Sequence, residues 1–330
     1  MYLVFAKMYG FSCKDEADVC HTVLVASPHI PTIKECNKNA TSYLFKECVN
    51  TRKLVAQHKQ LVRTLDMYGI HVEDISQIAN SARSKKPSPL LGNIVFTRDP
   101  MVCTKRGIIL GKFKEEVRHE ETKMVASALE TLDIPIVATI ERPASLLEGG
   151  DYIPAGETAF IGIGNRTNMD GVREMMDRNL FGSARVAVVK HPEDGNMHAI
   201  HLDCYLGLVG NDVAVVWEWA AQNVLVDEYY HDTEAGFYLL CTTNMPLQEY
   251  LEREGWVVVL VPTTSQQNYG CNLLYLGRDR IVLTQDHFVS DRLRALGYKP
   301  VELEFGELHK MYGGIRCATQ AFRGSSLMAI

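Results

Sequence analysis

The stretch LQEYLEREGWVVVLV, Leu247 to Val261, changes its periodicity midway. A mixed polar and apolar, helix-like segment, Leu247 to Glu254, gives way to the β-branched run Trp256 to Val261. Branched side chains are stiff at χ1 and pack well on a pleated surface, so the second half reads as a strand. The same grammar occurs four more times. Leu54–Met67 leads into Ile70–Ile75, His119–Leu132 into Ile134–Thr139, Asn168–Leu180 into Arg185–Val189, and Asp286–Leu296 into Tyr298–Leu303. Further strands are expected before the helices, at Cys20–Val25, Ile108–Leu110, Ala159–Ile163, Val213–Trp217 and Ile281–Thr284. The post-helix strands recur about every 40 to 70 residues, a spacing suited to modules whose insertions become loops. The pattern is α/β. A doubly wound sheet alternates in the same way, so periodicity alone leaves it open.

Hydrophobic residues make up 46% of the 330 positions and charged residues 22%, which excludes a disordered chain. The formal charge of −6 gives no reason to expect a nucleic-acid surface. No apolar run approaches the 18 residues of a membrane span, and MYLVFAKMYG at the start is too short in apolar residues for a secretory signal. Nine cysteines, an odd number with no CxxC pair, fit a reducing compartment, and the cytoplasm is the expected location. Ser81–Leu90, SARSKKPSPL, reads as a solvated loop, and no low-complexity linker divides the chain. One catalytic domain over residues 1–330 is expected. The Met175-Met176 pair and the Val213–Trp219 run read as core or subunit contact, compatible with a homo-oligomer.

A polar motif follows each module strand. These are NIVFTRDP at 93–100, LEGGD at 147–151, HAIHLDC at 198–204, NYGCN at 268–272 and YGGIRCAT at 312–319. Carboxylates can hold a planar guanidinium through paired hydrogen bonds. A thiolate can attack its central carbon, and a histidine can protonate the leaving amine and then activate water. His201 and Asp203, two apart, would share one face if they lie on a strand. Glycines beside Glu148 and before Cys317 permit close backbone approach or unusual dihedrals. If the modules close radially, the five motifs converge on one axis. Bland readings compete: Cys317 alone is more readily a buried structural thiol than a nucleophile. His191, His198, His201 and Asp203 match no secure metal spacing. The glycine pairs form no nucleotide fingerprint. Cys204 and Cys271 read as core or supporting positions.

Taken in order, VLVASP (Val23–Pro28), FTRDP (Phe96–Pro100), EGGD (Glu148–Asp151), GNRT (Gly164–Thr167), HLD (His201–Asp203) and GGIRCATQ (Gly313–Gln320) resemble the arginine deiminase family of the guanidino-group-modifying, or pentein, superfamily. The resemblance implies a five-module pseudosymmetric α/β propeller and covalent catalysis with no metal and no cofactor. It makes Cys317 the nucleophile, His201 the general acid/base and Glu148 its partner. Asp99 and Asp203 become guanidinium ligands, and Arg118 and Arg166 contacts to a substrate carboxylate. Asp151, Asn272, Gly313 and Gly314 take supporting roles, while Thr97 and Arg98 stabilise the FTRD turn. The chain reaches Asp99 too early for the helical insertion usual in arginine deiminases. Tyr312 stands where many members carry an arginine. The leading reaction is L-arginine to L-citrulline and ammonia. Alternatives are a dihydrolase giving ornithine, ammonia and carbon dioxide, an amidinotransferase, and a non-catalytic pentein that only binds. The expected partner is a small guanidine, with no nucleic acid and no membrane.

Overall fold

The computed structural model describes residues 11–76 and 91–323; the expected loop at Ser81–Leu90 lies outside them. The strands form five separate sheets built on one plan, so the fold is a five-module propeller and not one doubly wound sheet. In each sheet a first strand pairs antiparallel with a central strand, and a helix then returns the chain to a third strand parallel to the central one.

The opening module sets β1 (Thr22–Val25) beside β2 (His71–Asp74), reached through helix α1 (Thr51–Met67). The next pairs β3 (Met101–Thr104) with β4 (Gly107–Leu110), then crosses by α2 (His119–Thr131) to β5 (Ile136–Thr139). The third uses β6 (Tyr152–Ala155), β7 (Thr158–Ile163), α3 (Met169–Asp177) and β8 (Arg185–Lys190). The fourth has β9 (Leu206–Val209) and β10 (Val213–Trp217). Before its helix α4 (Leu247–Arg253) and strand β13 (Val257–Val261), a hairpin of β11 (Leu225–Asp232) and β12 (Phe237–Pro246) departs and extends the third sheet from β8. The fifth has β14 (Leu274–Tyr275), β15 (Ile281–Thr284), α5 (His287–Ala295) and β16 (Lys299–Glu302). Finally β17 (Gln320–Phe322) supplies the missing first strand of the opening module by pairing with β1.

The stretch Leu247–Val261 is therefore α4, a turn and β13. Gly255 makes the turn at φ +88°, left-handed backbone that a Cβ would strain. Side-chain caps start three helices: Asn50 accepts from Arg52 and Lys53 N–H, Asn168 from Gly171, and Asp286 from Val289.

Burial grades across each sheet. First and central strands are almost wholly buried, whereas β2, β5, β13 and β16 are partly exposed. Strand β8 is the buried exception because β11 covers its outer edge. First strands thus lie innermost, and every polar motif immediately precedes one. One expectation is corrected here. His201 and Asp203 are not on a strand: Leu202–Cys204 is a 3-10 turn with extended His201 leading into it, and His198 sits in a separate turn at Met197–Ala199.

Leu24 is fully buried in the central strand that joins β2 to β17. Leu24→Ala is expected to cost about 2–5 kcal/mol, read as a lower denaturant midpoint at unchanged m-value. Leu239→Ala, on β12 at 44% exposure, should stay within about 0.5 kcal/mol in the same experiment.

Candidate active site

The five motif turns are stitched to one another in a closed circuit. Gly149 N–H donates to the Asp99 carbonyl (2.8 Å), and Leu202 N–H to Asp151 Oδ1 (2.9 Å). Asn272 Nδ2 donates to the Asp203 carbonyl (3.2 Å), while its Oδ1 accepts from Arg316 N–H (2.8 Å) and Cys317 N–H (3.2 Å). Arg98 N–H donates to the Cys317 carbonyl (3.1 Å), and the circuit closes. Each motif turn is joined to the next by at least one peptide or side-chain bond.

The glycines act by close approach, not by unusual dihedrals: none of Gly149, Gly150, Gly313 and Gly314 has positive φ. A Cβ at Gly149 would stand 2.0 Å from the Arg98 and Met101 carbonyl oxygens, and one at Gly150 would lie 2.6 Å from His201 Nδ1. At Gly313 it would meet the Phe96 ring at 2.2 Å, and at Gly314 Asn272 Oδ1 at 2.7 Å. Asp151 ties three motifs together, accepting from Leu202 N–H and, at 3.2 Å, from Thr167 N–H; burial pushes its carboxyl up to about 7. Thr97 Oγ1 donates to the Leu24 carbonyl at 3.0 Å, tying the FTRD turn to β1.

Two groups of side chains lie among these turns. In the first, His201 Nε2 donates to Glu148 Oε2 at 2.8 Å, and its Nδ1 lies 4.0 Å from Asp99 Oδ1. Burial opposes a charged imidazole, but Asp99, the Glu148 hydrogen bond and Asp151 outweigh it and raise His201 to about 10. Burial likewise opposes ionised Glu148, yet its bond to His201 and the charges of His201, Arg166 and Arg118 hold it near 2. His201 is therefore an imidazolium and Glu148 a carboxylate at neutral pH. Glu148 Oε1 also accepts from Lys114 N–H at 3.0 Å.

In the second group Cys317 Sγ accepts from Asn272 Nδ2 at 3.0 Å and lies 3.9 Å from both Asp203 oxygens. Asp203 Oδ2 is gripped by Arg316 Nη1 at 2.9 Å, although burial keeps its carboxyl above the ordinary range. Charge interactions of Asp203 with His201 and Asp99 couple the two groups. Beneath them Arg316 and Arg323 share Glu16, with Arg98 alongside.

The arginines stand as follows. Arg118 is buried, with Nη1 2.7 Å from Asp99 Oδ2 and Nη2 2.7 Å from Glu121 Oε2, so its guanidinium is held by carboxylates on two sides. Arg166 Nη1 lies 2.8 Å from Glu115 Oε1, an ion pair off hydrogen-bond geometry, and Nη2 is 4.0 Å from Met197 Sδ. Asp99 is left half-paired: its Oδ1 is buried with no hydrogen-bond partner among the described residues. Sequence reasoning missed Glu16, Glu121 and the part of Arg316. Glu121 sits one helical turn after Arg118, a spacing that could have shown it, and Arg316 directly precedes Cys317. Nothing local marks Glu16. Among the described residues no group of three or more His, Cys, Asp or Glu side chains is arranged to hold a metal. His191 packs on Tyr205, and His198 near Tyr269 and Tyr312.

This arrangement defines a pentein with a thiol, an imidazolium and carboxylates among its motif turns. The arginine deiminase family model matches residues 29–323, and the chain belongs to that family, a pentein group of hydrolases acting on guanidino groups. It is 21% identical over 308 residues to the uncharacterized protein YkgA of Bacillus subtilis, covering 93% of each chain. It is 22% identical to N(G),N(G)-dimethylarginine dimethylaminohydrolase of Pseudomonas aeruginosa, over 82% of this chain and 89% of that one. Against the arginine deiminase of Halobacterium salinarum it is 27% identical over 51% of its own length, and it spans only 47% of that relative. In fold it is similar to the Pseudomonas aeruginosa dimethylarginine dimethylaminohydrolase complexed with citrulline (TM-score 0.67, 19% identity, 92% of this chain and 100% of that one). It is also similar to the N-terminal domain of ArgZ, a cyanobacterial arginine dihydrolase, in a substrate-bound structure (TM-score 0.68, 14% identity, 91% and 97%).

His201, raised from about 6.5, stabilises the fold fully below that pH and loses its contribution as pH climbs through about 10. Imidazole NMR should show this late titration, and Glu148→Gln should move it to lower pH. Arg118→Met removes the cation shared by Asp99 and Glu121. Equilibrium unfolding at neutral pH should register a loss of about 3–5 kcal/mol.

Proposed function

We propose that this chain, acting as one catalytic unit, hydrolyses a small guanidine, with free L-arginine giving L-citrulline and ammonia as the leading reaction. The carrying observation is the half-paired Asp99: a buried carboxylate oxygen without a partner, beside an imidazolium and within the same charged cluster as a thiol. A buried acceptor of that kind is costly unless a donor completes it, and a guanidinium offers planar N–H groups and a compensating charge. Arg118 acts here by fixing the other Asp99 oxygen, so its role is positioning. Arg166, buried beside Met197, is the contact we assign to the substrate's carboxylate.

Cys317 attacks the central guanidinium carbon as the thiolate, forming a C–S bond and a neutral tetrahedral adduct. Asn272 Nδ2, 3.0 Å from Sγ, directs the sulfur. His201, charged at neutral pH, gives its proton to the departing nitrogen, and ammonia leaves. The product of this half-reaction is an S-alkylthiouronium on Cys317. Neutral His201 then takes a proton from water as its oxygen attacks the same carbon. The C–S bond breaks, and a ureido product and the thiolate remain. Glu148 stabilises the imidazolium at both stages and fixes its ring orientation.

A second reading is favoured by the extent of the match. The dimethylarginine dimethylaminohydrolase relative is covered over 89% of its length, the Halobacterium arginine deiminase over only 47%. An N-substituted arginine, with an amine leaving instead of ammonia, uses the same steps. An odd number of cysteines with no CxxC pair supports a reducing, cytoplasmic setting.

Mass spectrometry of isotopically labelled arginine and N,N-dimethylarginine, with and without acceptor amines, separates the outcomes. Citrulline plus one ammonia is expected from arginine, abolished in Cys317→Ala and reduced at least about 100-fold in Asp99→Asn. Citrulline from the dimethylated substrate alone selects the second reading. Ornithine with two ammonias and carbon dioxide, or amidino transfer to the amine, would replace the deiminase. Undiminished turnover in Cys317→Ala would end the covalent mechanism.

A further inference from the structure

Cys204 has no part in the chemistry above, yet its thiol stands beside the nucleophile. Its sulfur lies 3.8 Å from Asp203 Oδ1, and Cys317 sulfur lies 3.9 Å from the same oxygen. Both sulfurs therefore meet at one carboxylate oxygen. Cys204 ends the 3-10 turn that carries Asp203, and Cys317 lies in the turn before β17, so two modules each deliver one sulfur to the same carboxylate. Both sulfurs are buried, and the turns that hold them are pinned together through Asn272.

We propose that Cys204 is a resolving cysteine that forms a reversible disulfide with Cys317 when the active site meets a peroxide. The inference rests on the reading of Cys317 as the reactive thiol. Cys317 thiolate attacks one peroxide oxygen; the O–O bond breaks, and sulfenic acid and hydroxide form. The Cys204 sulfur then attacks the Cys317 sulfur, the S–O bond breaks, the thiol proton joins the leaving hydroxide, and water departs. Two thiols and one hydrogen peroxide give one disulfide and two waters. A dithiol reductant returns both thiols by exchange. The order of events is set by surroundings. The neighbouring Cys317 thiol, burial and the Asp203 charge all raise Cys204, so it stays protonated at neutral pH and does not attack peroxide first. Its use is to intercept the sulfenic acid before further oxidation to the irreversible sulfinic state.

The full chain is treated with hydrogen peroxide in excess of the two equivalents that a sulfinic acid consumes, alkylated without reductant, digested and analysed by mass spectrometry. The expected result is a Cys204–Cys317 cross-linked peptide 2 Da lighter than the sum of the two thiol peptides, with dithiothreitol restoring turnover. In Cys204→Ser and Cys204→Ala the same treatment should add 32 Da to the Cys317 peptide, and dithiothreitol should recover under one tenth of the lost activity. Absence of the cross-link in the unsubstituted protein, or equal reversibility in both variants, overturns the proposal. Iodoacetamide labelling separates the two levels. If Cys317 labels ahead of the other cysteines but no cross-link forms, only the resolving role of Cys204 falls. If Cys317 does not label preferentially, the reading of it as the reactive thiol falls with it.

Discussion

The closed circuit of hydrogen bonds among the five motif turns is the constraint on which the site depends. The participating groups are backbone amides and carbonyls together with Asp151 and Asn272 side chains, all buried and all requiring partners. Because first strands occupy the inside of the ring, the turns before them have no water to bond and must bond each other. The steric terms agree with this. Where turns cross, glycine lets backbone or ring approach to distances that a Cβ would forbid, so the same packing that satisfies the amides brings Asp99, Glu148, His201, Asp203 and Cys317 into one charged cluster.

Around that circuit the charges are arranged in layers. Arg118 and Arg316 each anchor one oxygen of a site carboxylate and leave the other facing inward. Glu121 and Glu16 balance those arginines from behind; burial lifts Glu121 to about 7 even beside Arg118. Asp99, with one oxygen unpaired, can exchange partners with a cationic ligand without dismantling its support. Glu148, with both oxygens engaged, cannot, which suits a group that holds a ring in place.

The sequence and the structure agree where burial writes a local pattern. Central and third strands such as Val213–Trp217 and Val257–Val261 are runs of branched residues, and the helix before each third strand keeps its polar and apolar face. First strands were hidden because they follow polar turns whose composition masks them, and two of them, β14 with two residues and β17 with three, are also short. The β11–β12 hairpin was hidden for another reason: it packs on a different module from the one it interrupts. The site's named residues were legible through their motifs. Their geometry was not, since whether His201 meets Glu148 across 53 positions is settled by ring closure. The same holds for Arg118: its place after FTRD suggested a substrate contact, but pairing with Asp99 and Glu121 is a matter of space.

The opening sheet unites two distant parts of the chain, Thr22 facing Phe322 across the β1–β17 ladder. Such a contact has nearly the greatest loop-closure entropy the sequence permits, and its formation belongs late in folding. During synthesis the last propeller edge stays open until the segment bearing Cys317 emerges. The nucleophile and the staple that closes the ring are thus delivered together, and a nascent chain carries no assembled reaction centre while its inner edges are still exposed.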